Sequence, residues 1–394
     1  MDRSRTHALV LLTGLILMGV CIRDTLQVVD FLAFCGRAQH IWEQWVDPHY
    51  PPYYPLMLNA VNGLIGEARI SGILISVGCG LWLLHISNHL TTKGALALMC
   101  SSPFVIWSGT AGTDLPAAAL SVGAILLAKQ NSRWAGIVAG IAFGCRYTAL
   151  AAIPSVLWMS KDKRQTALWI VLVSVPIWLP PLWTGLPAFD MSSNERGPLS
   201  EVFGPNLQHG LMVIAKSPFV WLGFMAFAFT PQSKMNRALI LAAITHLVGC
   251  SLYFTNPRLM LPIFLAIPIC MNQIKGNHIY IAALLFGIGA QQFLSPRHIS
   301  HAPPTTVIDT LSDSEDCFVS NTPWAYQRLK DGWYKPGNAL QDLGHPLDKT
   351  SILDGLKHQE CSKLVLDLNY PFPKSMGDSH EAVLSSGQWR IYGL

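Results

Sequence analysis

The sequence carries little charge for its length. Asp, Glu, Lys and Arg make up 13% of its 394 residues, and hydrophobic residues make up 51%, whereas a soluble domain usually has about 25% charged residues. The formal net charge of +4 is small for this length and gives no basis for nucleic acid as a partner. Windows of about fifteen to twenty apolar residues recur from Ala8 to Leu294, which is the pattern of membrane helices.

Further absences narrow the class of protein. The chain has no CxxC motif, which argues against a structural zinc site, and no internal repeat or low-complexity segment. No pair of interrupted apolar segments recurs in two halves, as it does in inverted-repeat transporters. Most of the nine cysteines lie inside apolar windows, where they act as small hydrophobes. Cys317 and Cys361 lie in the polar tail, and their pairing depends on the tail being extracytoplasmic.

The apolar windows predict an α-helical polytopic membrane protein with about eleven transmembrane helices. Arg3 and Arg5 precede the first window, Ala8–Ile22, so we expect an uncleaved first helix that starts in the cytoplasm. The C-terminus is then outside. Residues 1–294 are expected to form the transmembrane domain and residues 295–394 a soluble extracytoplasmic domain. The other predicted apolar helices are Ile70–His85, Gly94–Trp107, Leu115–Ala128, Trp134–Gly144, Ala149–Met159, Ala167–Trp183, Phe219–Phe229, Leu239–Phe254, Leu259–Met271 and Ile279–Leu294.

Basic and acidic residues fall on opposite sides of the predicted topology. Basic residues fall on the predicted cytoplasmic links, among them Lys129, Arg133, Lys161, Lys163 and Arg164. Most acidic residues before Ser295 fall outside: Asp24, Asp30, Glu43, Asp47, Glu67, Asp114, Asp190, Glu195 and Glu201. Acidic residues contribute little to orientation, so this bias suggests acid–base or cation chemistry at the outer face.

The first outer loop contains the segment Val29–Leu58, which is rich in aromatic residues and proline. Phe31–Trp45 has apolar residues at helical spacing and predicts an amphipathic interfacial helix, and Leu56–Ile65 predicts a second one. Between them, His49, Tyr53 and Tyr54 are candidate substrate-binding residues. The two tyrosines also fit a purely structural role, because aromatic side chains anchor proteins at membrane interfaces.

Two outer carboxylates are the candidate catalytic residues. Asp30 stands at the start of the first interfacial helix, and Asp114 stands in the turn SGTAGTDLP. Either side chain is also suited to cap a helix. As a general base, a partly desolvated carboxylate removes a proton from an acceptor hydroxyl. A divalent cation shared by the two carboxylates is left open, because no ligand spacing here is diagnostic.

Basic residues on the predicted outer side are candidates for binding an anionic lipid headgroup. Arg146 interrupts an apolar run and Arg258 opens another, and cations at membrane depth are costly and tend to mark function. Arg69 and Lys216 are further candidates of the same kind. A guanidinium group can bind a phosphate through two hydrogen bonds, although snorkelling or a local ion pair would also account for each residue singly.

The tail has the pattern of a small α/β domain. It begins with a proline-containing linker after Ser295. Strands are predicted at Cys317–Ser320, Lys363–Leu368 and Trp389–Tyr392, and helices at Trp324–Lys330 and Ile352–His358.

The order of these motifs resembles the GT-C superfamily of integral-membrane glycosyltransferases. The resemblance covers Asp30 to Pro268 and rests on the early outer Asp followed by HYPPYYPLMLNAVNGLIG, TDLPAAALSVGAILLA, GIVAGIAFGCRYTALAAIP and NPRLMLPIFLAIP. Within this superfamily, the chain looks like the bacterial branch related to protein O-mannosyltransferases and aminoarabinose transferases.

The resemblance implies a sugar donor carried on polyprenyl phosphate and a glycan, lipid or protein acceptor at the outer face of the cytoplasmic membrane. It implies that Asp30 is the base or positions the acceptor, that Asp114 is the second acidic residue, and that Arg258 and Arg146 hold the lipid phosphate. Family members often have Asp-Glu in the first motif, whereas Phe31 follows Asp30 here, which leaves metal binding and activity open. A transporter of lipid-linked sugars and a non-catalytic membrane protein of this fold are the alternatives.

Overall fold

A computed structural model describes most of the chain. The described residues are 3–20, 29–45, 50–184, 199–230, 233–252, 258–294, 303, 305–312, 318–321, 325–331, 333–336, 338–339, 363–368, 382–386 and 389–393. The two tail cysteines and the predicted helix Ile352–His358 lie outside these ranges.

The chain divides into two compact units. The first, called the helical unit below, comprises Met1–Ile22, Ile41–Met57 and Gly72–His298. The second, called the mixed unit, comprises Arg23–His40, Leu58–Ser71 and Ile299–Leu394. The mixed unit therefore combines the C-terminal tail with two segments of the predicted first outer loop.

Helices dominate the chain up to Leu294. They are α1 (Arg3–Val20), α2 (Val29–Gln39), α3 (Tyr53–Ile65), α4 (Ala68–Leu90), α5 (Thr92–Cys100), α6 (Ser102–Ser108), α7 (Asp114–Ala128), α8 (Ser132–Cys145), α9 (Ile153–Met159), α10 (Lys163–Thr184), α11 (Leu199–Ala215), α12 (Pro218–Phe229), α13 (Lys234–Ser251), α14 (Leu261–Ile269) and α15 (Asn277–Leu294), with short 3-10 segments at Tyr147–Ala152 and Cys270–Gln273. Polar side chains cap several starts: Thr91 accepts from the Gly94 N–H, and Ser233 accepts from the Asn236 N–H.

Breaks in these helices follow local sequence. The predicted helix Gly94–Trp107 is two helices, because Ser101 is extended and Pro103 lies in the first turn of α6. The interfacial helix predicted to reach Trp45 ends at Gln39. Between the predicted helices Ala167–Trp183 and Phe219–Phe229, where no helix was predicted, the structure has α11, which contains Pro205.

Glycines on α8 allow close packing in the helical unit. A Cβ on Gly136 would lie 2.5 Å from the Thr166 carbonyl oxygen, and one on Gly140 would lie 2.7 Å from Val173 Cβ. The glycines are four residues apart and share one face of α8, so α10 packs directly against the α8 backbone. On its other side, α8 packs against α7, where almost every side chain is buried.

One described helix, Ala68–Leu90, has the length and hydropathy of a membrane span. A second candidate arises if Ser200–Ala215 and Pro218–Phe229 are counted together, although they meet at a bend of 93°. Several other apolar helices are shorter than a standard span, including Ala8–Val20 and Asp114–Ala128. The number of about eleven transmembrane helices therefore stays a prediction.

The C-terminal part of the mixed unit is built on a five-stranded sheet. This part of the chain contains α16 (Thr305–Ser312), β1 (Phe318–Ser320), β2 (Tyr326–Arg328), β3 (Tyr334–Pro336), β4 (Asn338–Ala339), β5 (Lys363–Asp367), β6 (Ala382–Ser386) and β7 (Trp389–Gly393). Strands β2 and β3 form a separate two-stranded sheet, and the other five strands form the larger sheet. The strand order is β4-β1-β5-β7-β6; β1 runs parallel to β4 and β5, and β7 runs antiparallel to β5 and β6. Val307, Leu311, Val365 and Ile391 belong to its core.

The strands predicted near Cys317, Lys363 and Trp389 are confirmed. The predicted helix Trp324–Lys330 is wrong, since β2 occupies it and pairs antiparallel with β3.

Candidate functional site

Asp114, Arg146 and Arg258 meet in the helical unit. Arg146 Nη1 donates to Asp114 Oδ1 over 2.5 Å, and Arg258 Nη1 lies 3.8 Å from Asp114 Oδ2. The Asp114 side chain is 4% exposed, and those of Arg146 and Arg258 are 19% and 20% exposed. Arg146 and Arg258, both predicted to bind lipid phosphate, therefore each pair with one oxygen of Asp114, which was predicted to be catalytic.

Two local features bring Asp114 and Arg146 together. Asp114 is the first residue of α7, and the preceding residue Thr113 donates its hydroxyl to the Cys145 carbonyl over 2.9 Å. Cys145 is the last residue of α8, and Arg146 is extended there before the 3-10 segment begins. This hydrogen bond ties the start of α7 to the end of α8. The predicted break at Arg146 is thus a structural feature of the site.

Arg258 comes from the turn that leads into α14. The Leu261 N–H donates to the Arg258 carbonyl over 3.1 Å, and Pro262 lies in the first turn of the helix. Proline is favoured there because the first-turn N–H groups have no helical partner. The turn therefore fixes the backbone position of Arg258.

A small cavity of about 10 Å³ lies at this cluster. Asp114, Ala117, Ala118 and Ser121 contribute one face of α7 to it, at the spacing at which residues share a helix face. The opposite wall comes from Arg146, Thr148, Ala149, Arg258, Leu259 and Pro262. A cavity needs about 10–15 Å³ to hold one water molecule, so the cluster is closed to anything larger in this conformation.

The donors of the cluster suit an anionic ligand. Two guanidinium groups and one carboxylate meet in a mostly buried place, where electrostatic interactions are stronger than in water. A phosphate oxygen that replaces a carboxylate oxygen can accept the same N–H donors. A base role for Asp114 is weakened, because both of its oxygens face cations.

The described surroundings of Asp114 do not favour a divalent cation. Two guanidinium groups at Asp114 repel a metal ion, and no cluster of three or more metal-ligating side chains occurs among the described residues.

His246 is a buried residue near the cluster that the sequence patterns did not single out. Its Nε2 lies 2.5 Å from the Leu259 carbonyl oxygen and 3.4 Å from Cys250 Sγ. His246 is 3% exposed on α13. It links α13 to the residue after Arg258. The sequence signal that could have identified His246 is a single histidine in an apolar helix, and such a histidine most often has a structural role.

The two predicted tyrosines lie at the start of α3 and are held there by packing. Tyr53 donates its hydroxyl to the Val173 carbonyl of α10, and its ring makes an edge contact with Trp45 at 6.4 Å between centroids. A Cβ on Gly144 would lie 2.0 Å from the Tyr53 ring, so the ring rests on the backbone of α8. Tyr54 is fully buried. These contacts are structural, and substrate binding by either residue stays a prediction.

The remaining predicted site residues are placed separately. Lys216 is exposed in the turn between α11 and α12. Asp30 is the second residue of α2 in the mixed unit, but its side chain lies outside the described part of the structure, and His49 lies outside it entirely. Their predicted roles are untested by the geometry.

Arg69 lies in the mixed unit beside a buried carboxylate, Glu67. The Arg69 and Ile70 N–H groups donate to Glu67 at 3.2 and 2.6 Å, so Glu67 caps the start of α4. Tyr334 of β3 donates its hydroxyl to Glu67 over 2.5 Å. Burial, followed by the hydrogen bond to Glu67, raises the pKa of Tyr334. Arg69 thus belongs to a structural junction between the loop segments and the tail.

Comparisons with known proteins support the fold. No protein-family profile and no curated protein matches the chain. Two crystal structures of ArnT from Cupriavidus metallidurans match it, one bound to undecaprenyl phosphate with a TM-score of 0.60 and one in the apo state with a TM-score of 0.58. Each is 12% identical, covers 98% of this chain and is itself covered to 97%. The chain therefore has the fold of ArnT, an aminoarabinose transferase of the GT-C type, as the motif order predicted.

Proposed function

We propose that the chain is an integral-membrane glycosyltransferase that transfers a sugar from a polyprenyl-phosphate donor to an acceptor hydroxyl. The observation that carries the proposal is the buried cluster of Arg146, Arg258 and Asp114 on a fold that, in ArnT, binds undecaprenyl phosphate. A donor of this class carries a phosphate between its polyprenyl chain and its sugar, and paired guanidinium groups at low exposure are suited to bind that phosphate.

The proposed reaction is a single displacement. The acceptor oxygen forms a bond to the anomeric carbon, the bond from that carbon to the phosphate oxygen breaks, and polyprenyl phosphate leaves. The acceptor proton passes to a base, which the sequence assigns to Asp30. One displacement inverts the configuration at the anomeric carbon.

Arg146 and Arg258 act on the leaving group. Negative charge grows on the phosphate as its bond to the sugar breaks, and preorganised donors that face this charge lower the barrier. Before the donor binds, Asp114 accepts a hydrogen bond from Arg146 and forms an ion pair with Arg258, and so holds both guanidinium groups near each other. We infer that Asp114 is a positioning residue, whereas its sequence-based assignment was catalytic.

A transfer assay with purified protein tests this function. Polyprenyl phosphate carrying a radiolabelled sugar is incubated with the protein and with membrane extract as the source of acceptor. We expect release of polyprenyl phosphate together with a labelled product. Asp30→Asn should abolish release while the protein stays folded in detergent, because the variant lacks a base. Glu201→Gln, an exposed acidic residue on α11, is the matched control and should retain activity.

The assay also separates the alternatives. Full activity in Asp30→Asn would remove the assignment of the base. Movement of the intact donor across vesicles without product would identify a transporter, and the absence of both activities with every donor and extract would favour a non-catalytic protein.

A further inference from the structure

An apolar crevice of about 530 Å³ lies between α4, α7 and α8 in the helical unit. It is lined by Gly78, Cys79, Trp82, Leu120, Leu127 and Val138, and ends at Gln130, Asn131 and Trp134. None of these residues belongs to the cluster at Asp114. Ligand clefts usually measure about 300–1,000 Å³. The crevice is therefore large enough for a hydrocarbon chain, whereas the closed cavity at Asp114 is not.

Packing on α7 builds one wall of this crevice. A Cβ on Gly123 would lie 2.2 Å from the Trp82 ring, so the indole is pressed against the α7 backbone. By contrast, a Cβ on Gly78 meets nothing within 4 Å. The wall is therefore firmly packed at Trp82 and open at Gly78.

The polar end of the crevice is strongly basic. Gln130 and Asn131 form the turn between α7 and α8, in which both N–H groups donate to the Leu127 carbonyl at 2.8 and 2.9 Å. Lys129 and Arg133 flank this turn and are exposed, and the Arg133 guanidinium lies over the Trp169 ring of α10, 4.6 Å from its centroid. Apolar lining thus ends at a turn that carries two cations.

Hydrogen bonds bring a second basic link to the same end. Ser160 donates to Ser132 Oγ over 2.8 Å, and the Asp162 N–H donates to Ser132 Oγ over 3.0 Å. The link that follows carries Lys161, Lys163 and Arg164, all exposed, against one carboxylate, Asp162. The carboxylate of Asp162 already accepts from the Gln165 N–H over 2.9 Å.

We propose that this crevice binds an anionic glycerophospholipid. One acyl chain occupies the apolar crevice, and the phosphate lies at the basic end beside Lys129, within the field of Arg133 on the same turn. Charge complementarity selects this occupant, because basic pockets between helices on the cytoplasmic side bind anionic headgroups, and the positive-inside rule predicts that this end is cytoplasmic. The site is separate from the proposed donor site and does not depend on the transferase activity.

Lipid retention by the purified full-length protein tests this proposal. The protein is delipidated in neutral detergent and titrated with phosphatidylglycerol or with phosphatidylcholine of the same acyl chains, and bound lipid is counted by native mass spectrometry. Wild-type protein should retain one phosphatidylglycerol in preference to phosphatidylcholine. Lys129→Gln with Arg133→Gln should weaken phosphatidylglycerol binding by roughly 30-fold, since each cation near a lipid surface contributes roughly fivefold to the affinity.

A crevice-filling variant and a matched control complete the test. Gly78→Leu places a side chain in the open part of the crevice and should abolish retention. Gly289→Leu on α15, where an added Cβ also meets nothing within 4 Å, should bind as the wild type does, and both variants should melt at similar temperatures. Equal retention of the two lipids, equal retention by the two leucine variants, or displacement of phosphatidylglycerol by equimolar polyprenyl phosphate would each overturn the assignment. Sugar transfer is measured separately on the same proteins, so a failure of the proposed function can be told apart from a failure of lipid binding.

Discussion

Asp114 has a cation on each of its carboxylate oxygens, and this arrangement decides what the residue can do. With Arg146 at 2.5 Å and Arg258 at 3.8 Å, the carboxylate compensates charge in a place where an unpaired charge would be costly. A residue in that position holds donors in place. It is poorly suited to take a proton from an acceptor, which leaves Asp30 as the predicted base.

The interdependence of this pair can be measured. Arg146→Ala leaves Asp114 buried beside one more distant cation, and breaking a buried pair costs about 3–5 kcal/mol. Asp114→Asn in the same protein removes the uncompensated charge and should recover part of that loss. Thermal or denaturant unfolding of both single variants and the double variant in detergent gives the coupling free energy. Strictly additive losses would contradict the account of Asp114 as the counter-charge.

At the scale of elements, the mixed unit depends on contacts between segments far apart in sequence. Glu67 and Tyr334 are 267 positions apart, yet they share a hydrogen bond. The turn before Glu67 uses Gly66 at a φ of 76°, a conformation that glycine adopts readily. Tyr326 and Tyr334 stack edge to face with ring centroids 5.4 Å apart, so the hairpin β2–β3 places Tyr334 at the capped start of α4.

This junction should make stability depend on pH in the alkaline range. The pKa of Tyr334 is raised by burial and then by Glu67, whereas a tyrosine in the unfolded chain titrates near about 10. The folded state therefore holds the proton more tightly, and the stabilisation is complete below about pH 10 and declines as the pH rises above it. Denaturant unfolding of the protein in detergent at a series of pH values between 8 and 11 measures this decline.

Tyr334→Phe is the variant that tests the source of this pH dependence. It should flatten the alkaline decline and lower stability by about 1–3 kcal/mol at neutral pH, because Glu67 loses a donor while buried. Tyr392→Phe in β7, another buried tyrosine of the mixed unit, is the control. An unchanged alkaline decline in Tyr334→Phe would show that another group is responsible.

The contact between α8 and Tyr53 gives a second test at this scale. Gly144→Ala adds a Cβ that would lie 2.0 Å from the Tyr53 ring, so either the ring or α8 has to move and the bond to the Val173 carbonyl is strained. We expect a lower melting temperature, with a loss of about 1–3 kcal/mol, as overpacking usually costs. Gly249→Ala on α13, which meets nothing within 4 Å, should be neutral or stabilising by about 0.5–1 kcal/mol. Equal melting of the two variants would contradict this packing.

Local sequence signals predicted most of the helical elements and the break at Arg146, because apolar windows and an interrupting cation act over a few residues. The same reasoning missed α11, since the polar residues around Glu201 and Pro205 indicated a loop. It assigned Trp324–Lys330 to a helix because its residues include good helix formers. Burial of Tyr326 against Tyr334 overrides that propensity.

At the scale of the whole molecule, the motif order predicted the fold, and the match to ArnT over 98% of the chain supports it. The pairing of Asp114 with Arg146 could not be predicted, because it depends on the bond from Thr113 to Cys145. The junction at Glu67 could not be predicted either, since no local pattern connects a turn after α3 with a strand in the tail. Long-range side-chain pairs of this kind leave no periodic signal in one sequence.

Binding of polyprenyl phosphate to the purified protein tests the central claim most directly. Arg258→Gln removes a guanidinium group from the cluster and should weaken the affinity by about 10- to 100-fold, since a hydrogen bond to a charged group contributes about 1.5–3 kcal/mol. Arg237→Gln, an exposed arginine on α13, should bind as the wild type does. Equal affinity of these two variants, measured by titration in the same detergent, would contradict the assignment of the phosphate site.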